Sequence, residues 1–189
     1  DLSKLAETRW VRAIEFLPGH RRVSHPFLAT YNSGEKGGTG RGGLDLKHEW
    51  AKGARAYLGV TVTGFPNFFM LYGPNTNLGH NSILVMIEAQ VGYILDALAK
   101  MKSRGVKRID VRRDVLEAYN RNLQQDLARS VWSATGASWY KLADGTITNN
   151  WPHSTIRYQR LLREAKLEDY DTCRRSHCAW PWRCSPCRC

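Results

Sequence analysis

Five consecutive apolar residues, Phe68-Phe69-Met70-Leu71-Tyr72, run straight into Gly73-Pro74, and helical periodicity begins a few residues later. A short apolar run bounded by turn residues predicts a strand buried on both faces, as in an α/β sheet. From about residue 82 to 104, Ile83, Ile87, Val91, Ile94, Leu98 and Met101 recur at spacings of three and four, one apolar stripe of a long helix. Asn81 or Ser82 caps its start, Lys100, Lys102 and Arg104 suit the negative end of its dipole, and Gly105 stops it. A strand feeding a glycine turn and then a helix gathers backbone N–H groups at the sheet end, which suits an anionic or carbonyl-rich ligand. The intervening loop adds donors on Asn75, Asn77, His80, Asn81 and Ser82, residues that read equally well as turn and cap residues.

The flanking text is less ordered. Residues 2–17 carry a weak helical hint ended by Pro18-Gly19, and 28–37 make a poor strand, although Phe27-Leu28-Ala29-Thr30 could be the remnant of one. Six of the ten residues from 34 to 43 are glycine, a flexible connection. Gly38 to Gly43 matches G-x-G-x-x-G only formally, because it lacks a good strand before it and an acidic residue on a strand end some twenty residues later. Residues 44–53 predict a short helix with Leu46 and Trp50 on one face and Gly53 as its stop. Residues 56–62 predict an extended segment, and 64–67 a turn. A second long helix spans about 113–131, burying Leu116, Tyr119, Leu123, Leu127 and Val131. Residues 133–170 read as irregular, with a short helix over 155–165.

Lys and Arg outnumber Asp and Glu by 28 to 17, a net charge of +11, which favours anionic partners such as nucleic acid, acidic membrane or phosphorylated cofactors. No apolar run is long enough to span a bilayer, and no leader pattern is visible, so a cytoplasmic location and no membrane partner are expected. All 5 cysteines lie after residue 172, so a disulfide framework across residues 1–172 is excluded. Cys184-x-x-Cys187, with Cys173, His177 or Cys178, could ligate zinc, but one ligand pair without a folded spacer favours a non-native extension with free or scrambled thiols. No metal site is assigned.

Read together, Trp50, Gly53-Ala54-Arg55-Ala56-Tyr57-Leu58-Gly59, Gly64-Phe65-Pro66-Asn67-Phe68-Phe69, Gly73-Pro74-Asn75, Ile87-Glu88 and Ser138-Trp139-Tyr140 closely resemble the C-terminal part of the Baeyer–Villiger monooxygenases, within the flavin-containing monooxygenase superfamily. The resemblance runs from about residue 42 to 170. It implies FAD, NADPH and O2, and oxygen insertion into a small-molecule ketone or related substrate. It carries Gly73, Pro74, Asn75, Leu78, His80, Asn81 and Ser82 over as flavin-side residues, and Trp139 as a residue of the NADP and substrate side. No catalytic residue is assigned. Neither dinucleotide-binding G-x-G-x-x-G is present, nor the family's F-x-G-x-x-x-H-x-x-x-W. The chain is therefore expected to be incomplete and inactive alone.

The expected fold is α/β: a fragment of an FAD-binding sheet with two long helices and an irregular C-terminal segment. Three divisions are expected: 1–41, a poorly defined segment with the Gly-rich loop; 42–170, the monooxygenase part; and 171–189, a disordered tail rich in Cys, Arg and Trp. The competing reading is a non-enzymatic basic module that binds nucleic acid or an anionic surface, or a functionless gene remnant. The basic residues lie on helix ends and loops without an aromatic-basic motif, so nucleic acid is not the expected partner.

Overall fold

The computed structural model describes residues 44–79, 81–134 and 141–173, and the backbone of 13–18, 26–31 and 174. Two small antiparallel sheets flank the long helices. In the first, β1 (Ala13–Pro18) pairs with β2 (Pro26–Tyr31), Ala13 opposite Tyr31 and Pro18 opposite Pro26. Strand β2 pairs in turn with β3 (Phe69–Leu71), Leu28 opposite Leu71 and Thr30 opposite Phe69. The helical hint over 2–17 is thus corrected at its end. Ile14 and Phe16 are β-branched and aromatic residues that suit a strand. Part of the poor strand over 28–37 is also a strand, and Phe27 to Thr30 lie within it. β3 occupies the heart of the apolar run, with Phe69 and Met70 buried and Leu71 half-buried. It is an edge strand of an antiparallel sheet, not the centre of a parallel one.

Between residues 44 and 69 the chain makes tight turns. Asp45 caps α1 (Leu46–Glu49) by accepting from the Lys47 N–H at 2.9 Å, and Gly53, at φ +116°, ends this segment as expected. The extended segment expected over 56–62 is instead a reversal. Leu58 and Gly59 both have positive φ, 54° and 69°, and the Val60 N–H returns to the Tyr57 carbonyl at 2.9 Å. Paired left-handed residues close a hairpin-like turn, and Gly59 is the one that adopts the conformation freely. Ala56, Val62, Phe65, Phe68 and Met70 form a small core beneath this turn, covered by Leu46 and Trp50.

Helix α2 (Ile83–Ser103) begins at Ser82, whose Oγ accepts from the Leu84 N–H at 3.3 Å, and stops at Arg104 and Gly105. Its buried face is Met86, Gln90, Tyr93, Ala97 and Met101. Of the stripe expected from periodicity only Met101 is fully buried; Ile83, Ile87 and Ile94 are half-buried, and Val91 and Leu98 face solvent. The helix carries apolar residues on two faces, and the more aliphatic one is not the one that enters the core.

β4 (Val106–Val111) follows at once, an element without a forecast in the sequence. It pairs antiparallel with β5 (Tyr170–Arg174), Val111 opposite Tyr170 and Ile109 opposite Thr172. β5 crosses the division drawn at residue 171. Helix α3 (Arg113–Ala128) buries Leu116, Leu123 and Leu127, with Tyr119 half-buried. Val131 is exposed, because the chain breaks at Arg129 and restarts as α4 (Val131–Ala134). Helix α5 (Thr155–Leu161), capped by Ser154, is shorter than the expected 155–165. The main core gathers Leu58, Val60, Phe69, Met86, Tyr93, Ile109, Leu127, Trp151, Tyr158 and Tyr170. Among the described residues no helix is long and apolar enough to cross a membrane. Cys173 is disulfide-bonded, one of the two states, free or scrambled, expected of the tail thiols.

Candidate functional site

The strand–turn–helix unit forecast from the sequence is built around a backbone collision that only glycine avoids. A Cβ on Gly73 would lie 2.2 Å from the Gly59 carbonyl oxygen, and one on Gly59 would lie 2.1 Å from the Thr76 methyl. The turn after β3 therefore sits directly on the turn at Leu58-Gly59. Tyr72 and Asn75, either side of Gly73-Pro74, both hold positive φ, 56° and 58°. Non-glycine residues in this region are costly and persist only where their surroundings over-determine them.

Those surroundings come from two directions. From α2, buried Gln90 accepts the Tyr72 N–H at 2.8 Å and donates to the Tyr158 hydroxyl at 2.9 Å. The Tyr158 hydroxyl donates onward to the Leu58 carbonyl at 2.6 Å. One amide on α2 thus ties the two turns to α5. From the segment 147–151, the Asn75 Nδ2 donates to the carbonyls of Ile147 (2.7 Å) and Asn150 (3.2 Å), and the Asn75 N–H donates to Thr148 O at 2.9 Å. Asn77 pairs with the same segment: its N–H donates to Asn149 O at 3.0 Å, and its carbonyl accepts from the Trp151 N–H at 2.8 Å. The Asn77 amide oxygen accepts from the Tyr72 hydroxyl at 2.6 Å, and Thr76 Oγ1 donates to Gly73 O at 2.7 Å. Among the described residues, Asn149 Nδ2 is buried beside this lattice without a hydrogen-bond partner.

The expected site residues therefore divide. Gly73, Pro74 and Asn75 are brought together and buried, and Leu78 is half-buried against the core. Asn75 is a structural clamp, since its amide is consumed by the chain's own carbonyls. Asn81 and Ser82 are exposed at the start of α2, where Asn81 Oδ1 accepts the Ser82 N–H at 2.7 Å. His80 and Trp139 lie outside the described residues, as do the Gly-rich stretch before residue 44 and the tail beyond 174. Sequence reasoning missed Gln90, Asn149, Asn150 and Tyr158. Gln90 left a legible signal, a lone amide spaced 4, 3, 4 and 4 residues among Met86, Tyr93, Ala97 and Met101.

A second polar cluster lies under the β4–β5 sheet. The Tyr57 hydroxyl donates to Asp169 at 2.7 Å, the Tyr93 and Tyr170 hydroxyls are 2.8 Å apart, and Thr61 Oγ1 lies 3.3 Å from the Tyr170 hydroxyl. Burial raises all these phenols. Tyr170 is pushed up to about 12, Tyr57 is raised further with help from the hydrogen bond to Asp169, and Tyr93 is raised by burial and by Tyr170. Tyr119 and Tyr158 are raised by burial. These phenols remain neutral at physiological pH and act as core residues rather than acids or bases.

No protein-family model matches the chain. It is 48% identical over 133 residues to a Baeyer–Villiger monooxygenase of Pseudomonas aeruginosa, covering 69% of this chain and 25% of that protein. It is 45% identical over 137 residues to the FAD-binding monooxygenase ktnD of Aspergillus niger, covering 69% of this chain and 22% of that one. Among solved structures, it matches an oxidised steroid monooxygenase bound to NADP at TM-score 0.62 and 28% identity, over 71% of this chain and 25% of that one. A cyclohexanone monooxygenase from Rhodococcus sp. Phi1 bound to NADP+ shares the fold at TM-score 0.59 and 23% identity, over 72% of this chain and 26% of that one. The chain spans about a quarter of the length of the relatives it matches. The α/β fragment around the interlocked glycine turns thus carries the sequence and fold of one segment of those proteins, the Baeyer–Villiger and FAD-binding monooxygenases.

Proposed function

We propose that this chain supplies the flavin-side wall of an FAD- and NADPH-dependent monooxygenase that inserts one oxygen atom of O2 into a ketone. The observation that carries the reading is the clamped turn at Gly73-Pro74-Asn75 leading into α2, whose first turn holds no acidic residue. An uncancelled helix N-terminus favours a carbonyl-rich or anionic ring. The donor set fits such a group, because Asn149 Nδ2 is a buried amide donor with no partner among the described residues.

In this reading Gly73, Pro74 and Asn75 hold the shape of the wall and Leu78 anchors it. Asn81 and Ser82 present the start of α2, and Asn149 would donate to the bound group. His80 belongs to the same wall, and Trp139 to the NADP and substrate side. Bound FAD, reduced by NADPH, would supply the oxygen chemistry; this chain's residues orient it and exclude water. The monooxygenase part is residues 42–170, to which the fold joins β1, β2 and the end of β5; the location is the cytoplasm, and the chain alone does not turn over.

The test is a chimera in which residues 44–174 replace the matching segment of the Pseudomonas aeruginosa relative. The expected product is a yellow protein that consumes NADPH and converts a ketone to an ester. A folded but colourless chimera overturns the reading. Flavin fluorescence titrated with the isolated chain should stay unquenched, and near-stoichiometric binding would refute the claim of incompleteness.

A further inference from the structure

Among the described residues, helix α2 presents a second apolar face that no other element covers. Leu84 is 64% exposed, Leu95 61%, Leu98 42% and Val91 39%. Gly92 and Ala99 lie on the same outward side, and nothing would meet a Cβ at Gly92 within 4 Å. Glu88 and Lys102 bracket the part of this face from Val91 to Ala99, and Leu84 lies one turn outside it. Both are exposed, and among the described residues neither is in an ion pair.

The order of residues along the face is self-complementary. Glu88, Gly92, Leu95, Ala99 and Lys102 repeat at 4, 3, 4 and 3, the spacing of a helix–helix seam. Turned antiparallel about Leu95, the face meets itself in register: Glu88 opposes Lys102, Gly92 opposes Leu98, and Val91 opposes Ala99. Small residues flank the axis, so the two backbones can approach closely, and each end carries an attractive charge pair. A parallel arrangement would oppose like charges at both ends.

We propose that this face binds a second copy of the chain, α2 against α2 across a two-fold axis at Leu95. A two-fold interface uses the same patch on both subunits, which is the property this residue order has. The interface is one helix face long, so association is concentration-dependent rather than permanent.

The full 189-residue chain is followed by sedimentation equilibrium over a range of concentrations, with non-reducing electrophoresis to identify disulfide-linked species. The mass should climb from monomer to dimer. Leu95→Glu, at an exposed position, sets two carboxylates against each other at the axis and should abolish dimerisation while leaving far-UV circular dichroism unchanged. Lys102→Glu alone should weaken association about tenfold, by replacing two attractions with two repulsions. Glu88→Lys with Lys102→Glu in one chain should restore it, since the reversed pair is again complementary. A chain that stays monomeric at every concentration, including one whose α2 face is covered by another protein, overturns the proposal. So does a dimer indifferent to Leu95→Glu, or a double variant no better than the single ones.

Discussion

Gly59 and Gly73 lie back to back, so close that a single added carbon on Gly73 would come within 2.2 Å of the Gly59 carbonyl oxygen. The obstacle is backbone, which cannot rotate aside. Gly73→Ala should therefore destabilise the fold by about 2–4 kcal/mol, as a strained or overpacked core site does. Urea denaturation monitored by tryptophan fluorescence measures it, and a midpoint equal to that of the parent protein would refute the close approach.

Gln90 satisfies a backbone donor and a phenol at once. Gln90→Leu keeps the size of the side chain but strands the Tyr72 N–H, and should cost about 1–3 kcal/mol. Hydrogen exchange at the Tyr72 amide should accelerate while amides in α3 keep their protection.

Asn75 combines a left-handed backbone with two side-chain hydrogen bonds. Asn75→Gly relieves the backbone cost and loses the bonds; Asn75→Ala loses the bonds and keeps the cost. The alanine variant should be less stable than the glycine variant by about 1 kcal/mol. The reverse order in thermal melts would mean that the conformation, not the amide, is wrongly assigned.

Asp96 on α2 accepts the Ala165 N–H at 2.8 Å and pairs with Lys100 at 2.9 Å. The backbone bond first, then Lys100, hold its carboxyl below the ordinary range. A depressed carboxylate contributes stability that is present above its unfolded pKa and lost as pH falls through the folded one. Asp96→Asn should flatten the acid side of the stability profile and leave neutral-pH dependence alone. An acid limb as steep as the parent's would count against the link.

Tyr170 gives the opposite sign. Its phenol stays protonated up to about 12 in the fold, against 10.0 when free. The stability it contributes is complete below 10 and lost as pH rises toward 12. Tyrosinate absorbance should therefore rise together with loss of circular dichroism, as one transition, and Tyr170→Phe should move that transition upward in pH. Ionisation well before unfolding would contradict the buried phenol network.

The sequence announced the site's frame clearly. A five-residue apolar run, a Gly-Pro turn and a long periodic stretch can form little else, and β3, the turn and α2 are all present. What it could not announce came from distance along the chain. The helix face was misassigned because α2 has two apolar faces, and the packing of β3, β4 and α5 selects the one with Gln90. β4 was invisible because Lys107, Arg108 and Asp110 break its apolar pattern, and its partner β5 lies 60 residues on. The donors of Asn75 and Asn77 read in the sequence equally well as ligand groups or as turn and cap residues. In the fold they meet carbonyls of residues 147–150, which no local pattern brings near.

The hydrogen bond from Tyr158 to Leu58 spans 100 residues of chain. The clamps on Asn75 span 72 and 75. Distant contacts form late, because a long loop must close before they contribute. On a ribosome, the left-handed turn at residues 72–75 would stay unsupported until residues 147–158 had cleared the exit tunnel. The order of synthesis therefore makes this strained turn among the last parts to set, and a nascent chain stalled before residue 147 would carry the turn's sequence without its shape.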